Sequence, residues 1–295
     1  MARFGAVLTA MVTPFADDGS LDLVGAAELA KWLVAHGNDG LVLTGTTGES
    51  PTLTDDERVE VWRAVREAVD VPLVTGSTSN DTRNSVELTK RATDAGVDGI
   101  LAVTPYYNRP SQAGIEAHFR AIADATSLPV MLYDIPVRTG RKISTDLLLR
   151  LAHDVPNIVA LKDASGNPGE TAHVIAEAPD GFEVYSGDDG MTLPLLAVGA
   201  VGAVGVATHW IGSAVREMVS AFAKGDGERA AEINGRMQRP LRFQSSEDAP
   251  NPAPAKAMMR ALGLAVGHCR LPMGPDPDRL DQEAHQLIEA FGLPA

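Results

Sequence analysis

Short apolar runs alternate with amphipathic stretches over the first three-quarters of the chain. Eight runs, at residues 7–12, 40–44, 72–76, 99–103, 129–133, 158–162, 183–186 and 203–207, are mostly apolar on both faces. That is the pattern of strands in a parallel sheet covered on both sides. Helical periodicity fills the gaps. Thr54-Asp55-Asp56-Glu57 has the spacing of a capping box, and Val61, Val65 and Val69 then recur every four residues. Ala26, Leu29 and Leu33 form a similar stripe that stops at Gly37. Pro72, Pro129 and Pro156 each open an apolar run, where a missing N–H does least harm. A weak internal repeat relates Gly37-Asn38-Asp39-Gly40-Leu41-Val42-Leu43 to Gly96-Val97-Asp98-Gly99-Ile100-Leu101-Ala102.

Eight β/α units predict an α/β protein, a (β/α)8 TIM barrel over residues 1–223, with a doubly wound sheet as the other arrangement to consider. No Gly-x-Gly-x-x-Gly follows the first run and no Gly-Lys-Ser/Thr loop occurs, so dinucleotide and P-loop readings lose support. Past Ala223 the strand pattern ends. Helical patterns at 227–239, 255–264 and 278–291 are joined by a Ser- and Pro-rich stretch at 245–254. They predict a C-terminal helical region, residues 224–295, packed on the barrel, because roughly 70 residues make a marginal core alone.

Composition narrows the function classes. Hydrophobic residues make up 44% of the 295 and charged residues 22%, ordinary values for a globular protein. A net charge of −14 argues against a nucleic-acid partner. One cysteine, Cys269, excludes intrachain disulfides and fits a reducing compartment. The start, Met1-Ala2-Arg3-Phe4-Gly5, does not read as a signal peptide, and the longest apolar stretch, 193–207, is interrupted by Pro and Gly. A cytoplasmic protein without a membrane partner is therefore expected. The seven histidines (36, 118, 153, 173, 209, 268, 285) form no ligand spacing with one another or with Cys269. No metal and no cofactor are expected.

Lys162 carries the strongest chemical signal, because it closes the apolar run Ile158-Val159-Ala160-Leu161. An ammonium pressed among apolar groups loses hydration and drops in pKa, and the neutral amine attacks carbonyls to form Schiff bases. Its stem packing on the strand while the head reaches water is an equally good reading of the strand alone. The other lysines, Lys31, Lys90, Lys142, Lys224 and Lys256, are expected in polar loops or on helix surfaces.

Catalytic groups of such barrels sit where strands end and in the loops that follow. Those positions hold Gly45-Thr46-Thr47-Gly48-Glu49-Ser50, Tyr106-Tyr107-Asn108-Arg109-Pro110, Tyr133-Asp134, Arg138 and Gly187-Asp188-Asp189. Hydroxyls of Thr46, Tyr107 and Tyr133 could move protons, and N–H groups of the 45–50 loop could hold a carboxylate. That loop is also readable as a plain turn, Tyr106-Tyr107 as a hydrophobic patch or subunit contact, Arg138 as a surface arginine and Gly187-Asp188-Asp189 as a helix start. Asp163 adjoins Lys162 but points to the opposite face, so no pairing with the amine is expected. Met258-Met259 and the 193–207 stretch read as core.

Together these segments, with Val12-Thr13-Pro14-Phe15, Leu161–Asn167, the 250–256 stretch and Leu271-Pro272-Met273, resemble the dihydrodipicolinate synthase family of pyruvate-dependent class I aldolases, over nearly the whole chain. The resemblance implies a Schiff base between Lys162 and pyruvate, followed by condensation with aspartate semialdehyde on the route to diaminopimelate and lysine. It makes Tyr133 the proton donor and acceptor, linked through Thr46 to a Tyr107 that reaches in from a neighbouring subunit. It makes Thr47 and the backbone near Val204 the pyruvate site, and Arg138 the holder of the semialdehyde carboxylate. It also implies a homotetramer, a dimer of dimers. Sialic-acid lyases are similar around the lysine and tyrosine, but are typically apolar at the position of Arg138; a lyase for a sialic acid or a 2-keto-3-deoxy sugar acid is thus the alternative. One departure stands out. The histidines and glutamate of lysine-inhibited members are replaced here by Asp55, Arg58 and Asn84, so weak or absent lysine feedback is expected.

Overall fold

The structure is a computed structural model and describes residues 2–293. Eight strands, β1 (Val7–Ala10), β2 (Gly40–Leu43), β3 (Leu73–Gly76), β4 (Gly99–Val103), β5 (Val130–Asp134), β6 (Ile158–Asp163), β7 (Glu183–Ser186) and β8 (Gly202–Gly205), follow one another as a closed parallel barrel. The (β/α)8 barrel expected from the periodicity is the fold found. Its helices are α1 (Leu23–Ala35), α2 (Asp55–Ala68), α3 (Thr82–Asp94), α4 (Gln112–Asp124), α5 (Pro136–Thr139), α6 (Thr145–Asp154), α7 (Pro168–Glu177), α8 (Thr192–Ala197) and α9 (Thr208–Ala223). Beyond them come α10 (Gly227–Arg242), α11 (Ala253–Ala261) and α12 (Leu280–Phe291). No helix among the described residues is long and apolar enough to cross a membrane.

The local signals act as their chemistry dictates. The Thr54 hydroxyl accepts from the Glu57 N–H at 3.2 Å and the Glu57 carboxylate accepts from the Thr54 N–H at 2.8 Å, completing the capping box of α2. Gly37 ends α1 with φ +101°, and a Cβ there would lie 2.5 Å from the Ser213 nitrogen. β8 stops short of the expected residue 207 because the Val206 carbonyl accepts from both the backbone N–H and the ring Nδ1 of His209, turning the chain into α9.

The internal repeat has a structural meaning. Asp39 donates its N–H to the Val7 carbonyl at 2.7 Å and accepts the Val7 N–H on its carboxylate at 3.0 Å. Asp98 brackets Leu73 in the same way, at 2.8 Å and 2.8 Å. Each aspartate thus fixes where its strand starts against the preceding one.

Two compact units make up the chain, residues 2–6 with 72–204 and residues 7–71 with 205–293. In the first, β3 to β8 pair in order, and the β5–β6 register sets Tyr133 beside Lys162 and Leu132 beside Leu161. Its core contains Ile100, Met131, Leu132, Ala160 and Tyr185. In the second, β1 pairs with β2 and buries Leu8, Leu41 and Leu43, while Ala257, Met258 and Met259 bury the inner side of α11.

One expectation is overturned in this second unit. Lys256 is not on a helix surface; it is fully buried and forms an ion pair with Glu49, Nζ to Oε1 2.7 Å, with both side chains at 0% exposure. The helical pattern around it is mostly alanine and methionine, so the lysine shares the buried side of α11. Its charge is tolerated there because a carboxylate far away in sequence meets it.

Candidate active site

Lys162 ends the apolar part of β6 and stays 5% exposed, so the snorkelling alternative does not hold. Its ammonium nitrogen lies 4.2 Å from the centre of the Tyr133 ring. Burial pulls its pKa down to about 8; the Asp189 carboxylate opposes that shift and the Arg138 guanidinium adds to it. At neutral pH roughly a tenth of the amine is therefore uncharged, against less than a thousandth for an ordinary lysine. Tyr133 is driven the other way. Burial raises its phenol well above the ordinary range, so it stays a proton carrier rather than a phenolate, with Arg138 opposing the shift.

Two neighbours of the amine come from the Gly187-Asp188-Asp189 triplet, whose place after the seventh strand is legible in the sequence but whose roles are not. Gly187 leaves room for the lysine stem: a Cβ there would lie 2.9 Å from Lys162 Cγ and 3.1 Å from its Cε. Asp189 is buried and its negative field acts on Lys162, whereas Asp188 caps the turn, accepting from the Gly190 N–H at 2.9 Å, and its charge adds to the rise at Tyr133. The triplet Gly187-Asp188-Asp189 is legible as a helix start, and Asp188 does that; its neighbours' role depends on the fold. Asp163 behaves as expected, turned from the amine to accept from the Thr171 hydroxyl at 2.5 Å and the Ser165 N–H at 2.8 Å.

Arg138 sits on the short helix α5, exposed, and its charge reaches both Lys162 and Tyr133. Val204 is buried within β8. A Cβ on its neighbour Gly202 would lie 2.0 Å from the Ala6 carbonyl oxygen, so that strand must approach backbone closely. Tyr107 stands apart. It has φ +70° and is 89% exposed, so it is not buried with Lys162 and Tyr133. Its loop is tied down through Tyr106 and Asn108, whose groups bond Asn80 at 3.2 and 2.9 Å.

Thr46 and Thr47 belong to the second unit, in the loop after β2. Thr46 is half-buried and Thr47 buried. The Thr47 hydroxyl accepts from the Asn251 side-chain amide at 3.0 Å, and the Gly48 carbonyl accepts from the Thr13 hydroxyl at 2.7 Å. Among the described residues no group of three or more His, Cys, Asp and Glu side chains is arranged to hold a metal.

A lysine amine brought close to neutrality at the end of the sixth strand of a parallel barrel, with a phenol against it, defines a Schiff-base-forming lyase. Comparison with known proteins makes the assignment specific. The model of the "Dihydrodipicolinate synthetase family" matches residues 3–291, and the chain belongs to that family. A 4-hydroxy-tetrahydrodipicolinate synthase of Halalkalibacterium halodurans is 49% identical over 92% of each chain. The synthase of Acidothermus cellulolyticus is 52% identical, over 92% of this chain and 87% of its own. Among solved structures, the dihydrodipicolinate synthase of Cyanidioschyzon merolae, solved with lysine bound, superposes with a TM-score of 0.94 at 43% identity, covering 99% of each chain.

Proposed function

We infer that the chain condenses pyruvate with L-aspartate 4-semialdehyde to give 4-hydroxy-tetrahydrodipicolinate, the first committed step of diaminopimelate and lysine biosynthesis. The buried amine of Lys162, lowered to about 8 beside Tyr133, carries this reading together with the family assignment. The neutral amine adds to the ketone carbon of pyruvate, and loss of water gives the imine. A methyl proton then leaves to form the enamine, whose terminal carbon bonds to the aldehyde carbon of the semialdehyde. Attack by that substrate's own amine closes the ring and displaces the Lys162 nitrogen, restoring the lysine. The negative field of Asp189 favours the protonated imine, which is the better electron sink.

The remaining roles follow the family resemblance. Tyr133 gives and takes the protons of these steps, relayed through Thr46 to Tyr107. Thr47 and the backbone at Val204 hold the pyruvate carboxylate. Arg138 holds the semialdehyde carboxylate, which a planar guanidinium meets with two parallel hydrogen bonds. The exposure of Tyr107 supports its service to a neighbouring subunit of a homotetramer in the cytoplasm. Residues 224–295 extend the barrel domain, as the bonds from Asn251, Lys256 and Arg270 to residues 47–57 support.

Borohydride reduction with pyruvate, followed by intact-mass and peptide analysis, tests the central step. An adduct at Lys162 is expected, absent in Lys162→Ala; wild-type protein that stays unmodified sinks the reading. Turnover of the semialdehyde, with no cleavage of sialic or 2-keto-3-deoxy acids, separates it from the lyase alternative. Lysine feedback should be weak or absent. Arg58, at one of the exchanged positions, instead donates to the Ser50 carbonyl at 2.7 Å. Loss of activity at micromolar lysine in a steady-state assay would contradict this.

A further inference from the structure

We propose that Lys256, with Asn251 and the backbone N–H of Arg270, positions the 45–50 loop for pyruvate, acting from the C-terminal helical region through Glu49 and Thr47. The proposal deepens the functional reading above and rests on that loop being the pyruvate carboxylate site.

The loop is held in conformations it would not choose alone. Thr44 and Glu49, at its two ends, have φ +49° and φ +56°, left-handed values that side-chain-bearing residues adopt only where their surroundings hold them. Gly48 is closely packed, since a Cβ would lie 3.0 Å from the Thr44 backbone and 3.1 Å from the Met11 carbonyl oxygen. From within the barrel region, the Trp62 indole donates to the Thr44 hydroxyl at 2.8 Å and Thr13 donates to the Gly48 carbonyl.

Further restraints come from residues 251–270. Glu49 is gripped on both oxygens, by Lys256 at Oε1 (2.7 Å) and by the Arg270 N–H at Oε2 (2.8 Å). Lys256 is itself fixed: it donates to the His268 carbonyl at 2.9 Å and stands 4.1 Å from the centre of the Phe15 ring. Asn251 fixes the Thr47 hydroxyl by donating to its oxygen. A hydroxyl that accepts from an amide keeps its own proton to donate, and an anion such as a carboxylate is a natural acceptor. An ion pair buried to 0% exposure is a costly way to gain stability alone, since well-packed apolar residues serve as well or better. Its directionality is what an apolar pair lacks, and directionality is what the strained loop needs. Lys256 and Asn251 are positioning residues in this scheme, acting through groups they hold.

The test compares wild type, Asn251→Ala, Lys256→Arg and the paired Glu49→Leu/Lys256→Met, which leaves no buried charge unmatched. Circular dichroism checks folding, and steady-state kinetics separate the two substrates. Asn251→Ala and the paired variant should stay folded and raise the pyruvate KM by about tenfold or more, as loss of alignment does. The semialdehyde KM should stay within about twofold. Saturating pyruvate should still give the borohydride adduct at Lys162, and Lys256→Arg should recover part of the pyruvate KM. A wild-type adduct alongside an unchanged pyruvate KM in both folded variants overturns the positioning role alone. Wild-type protein with no adduct overturns the functional reading and this inference with it.

Discussion

Lys162 and Lys256 show how far a single residue can be read from its neighbours. Both are buried lysines, but Lys162 ends a run of apolar residues that any parallel strand would bury, so its setting was visible in the sequence. Lys256 lies among alanines and methionines of a helix, where its fate depended on Glu49, about two hundred residues earlier. Burial lowers the pKa of both and a carboxylate opposes the fall at each, Glu49 at Lys256 and Asp189 at Lys162, where the Arg138 charge also assists it. Activity should follow the neutral form of Lys162. The rate of imine formation with pyruvate should climb with pH through an inflection near 8 and level off above it. Arg138→Ala removes a positive charge that disfavours protonation, so its inflection should move to higher pH. The same variant should form the adduct yet raise the semialdehyde KM roughly tenfold to a hundredfold, the loss of a charged hydrogen-bonding site. A variant with wild-type semialdehyde kinetics and an unmoved inflection would remove Arg138 from the site.

At the scale of elements, local rules set the ends and tertiary contacts reused them. The capping box of α2 was readable from Thr54 and Glu57, but its glutamate also serves a distant partner, since the Arg270 guanidinium forks onto its two oxygens at 2.6 and 3.1 Å. That contact, with the Thr54 bonds, holds the Glu57 carboxyl at about 2, below its usual 4.5. A depressed carboxylate pKa adds stability that is fully present above pH 4.5 and lost as pH falls toward 2. Denaturant melts at about pH 5 and about pH 3 should show a larger acid loss for wild type than for Glu57→Gln. Thr54→Ala should cost about 1 kcal/mol at neutral pH, the usual worth of an N-cap. Equal acid sensitivity of wild type and Glu57→Gln would mean the arginine contact contributes nothing. Asp39 and Asp98 teach a related lesson. The repeat around them was visible as letters, and only the paired bonds to Val7 and Leu73 show that it marks strand starts.

For the molecule as a whole, the question is what one chain lacks. Tyr107 stands exposed on a strained loop while the Lys162 side chain is buried, which suits a residue that serves a partner. Mixing Lys162→Ala with Tyr107→Phe protein under exchange conditions should restore a measurable fraction of wild-type activity, because some subunit pairs then hold one intact site. No recovery, with mixed oligomers verified by mass and Tyr107→Phe inactive alone, would overturn the service of Tyr107 to a neighbouring subunit. Eight doubly apolar runs separated by helical stretches made the barrel legible in the sequence, and the contrast of Lys162 with its apolar run marked it as a candidate nucleophile, which the family resemblance then favoured over a snorkelling lysine. Both signals are local: periodicity and contrast with neighbours survive in a one-dimensional record. Tertiary structure alone decided that Gly187 makes room for the lysine stem, that Asp189 biases its charge, and that Lys256 meets Glu49. Those facts depend on which distant residues share a few ångströms of low-dielectric space, where Coulomb forces and steric exclusion act strongly and sequence separation counts for nothing.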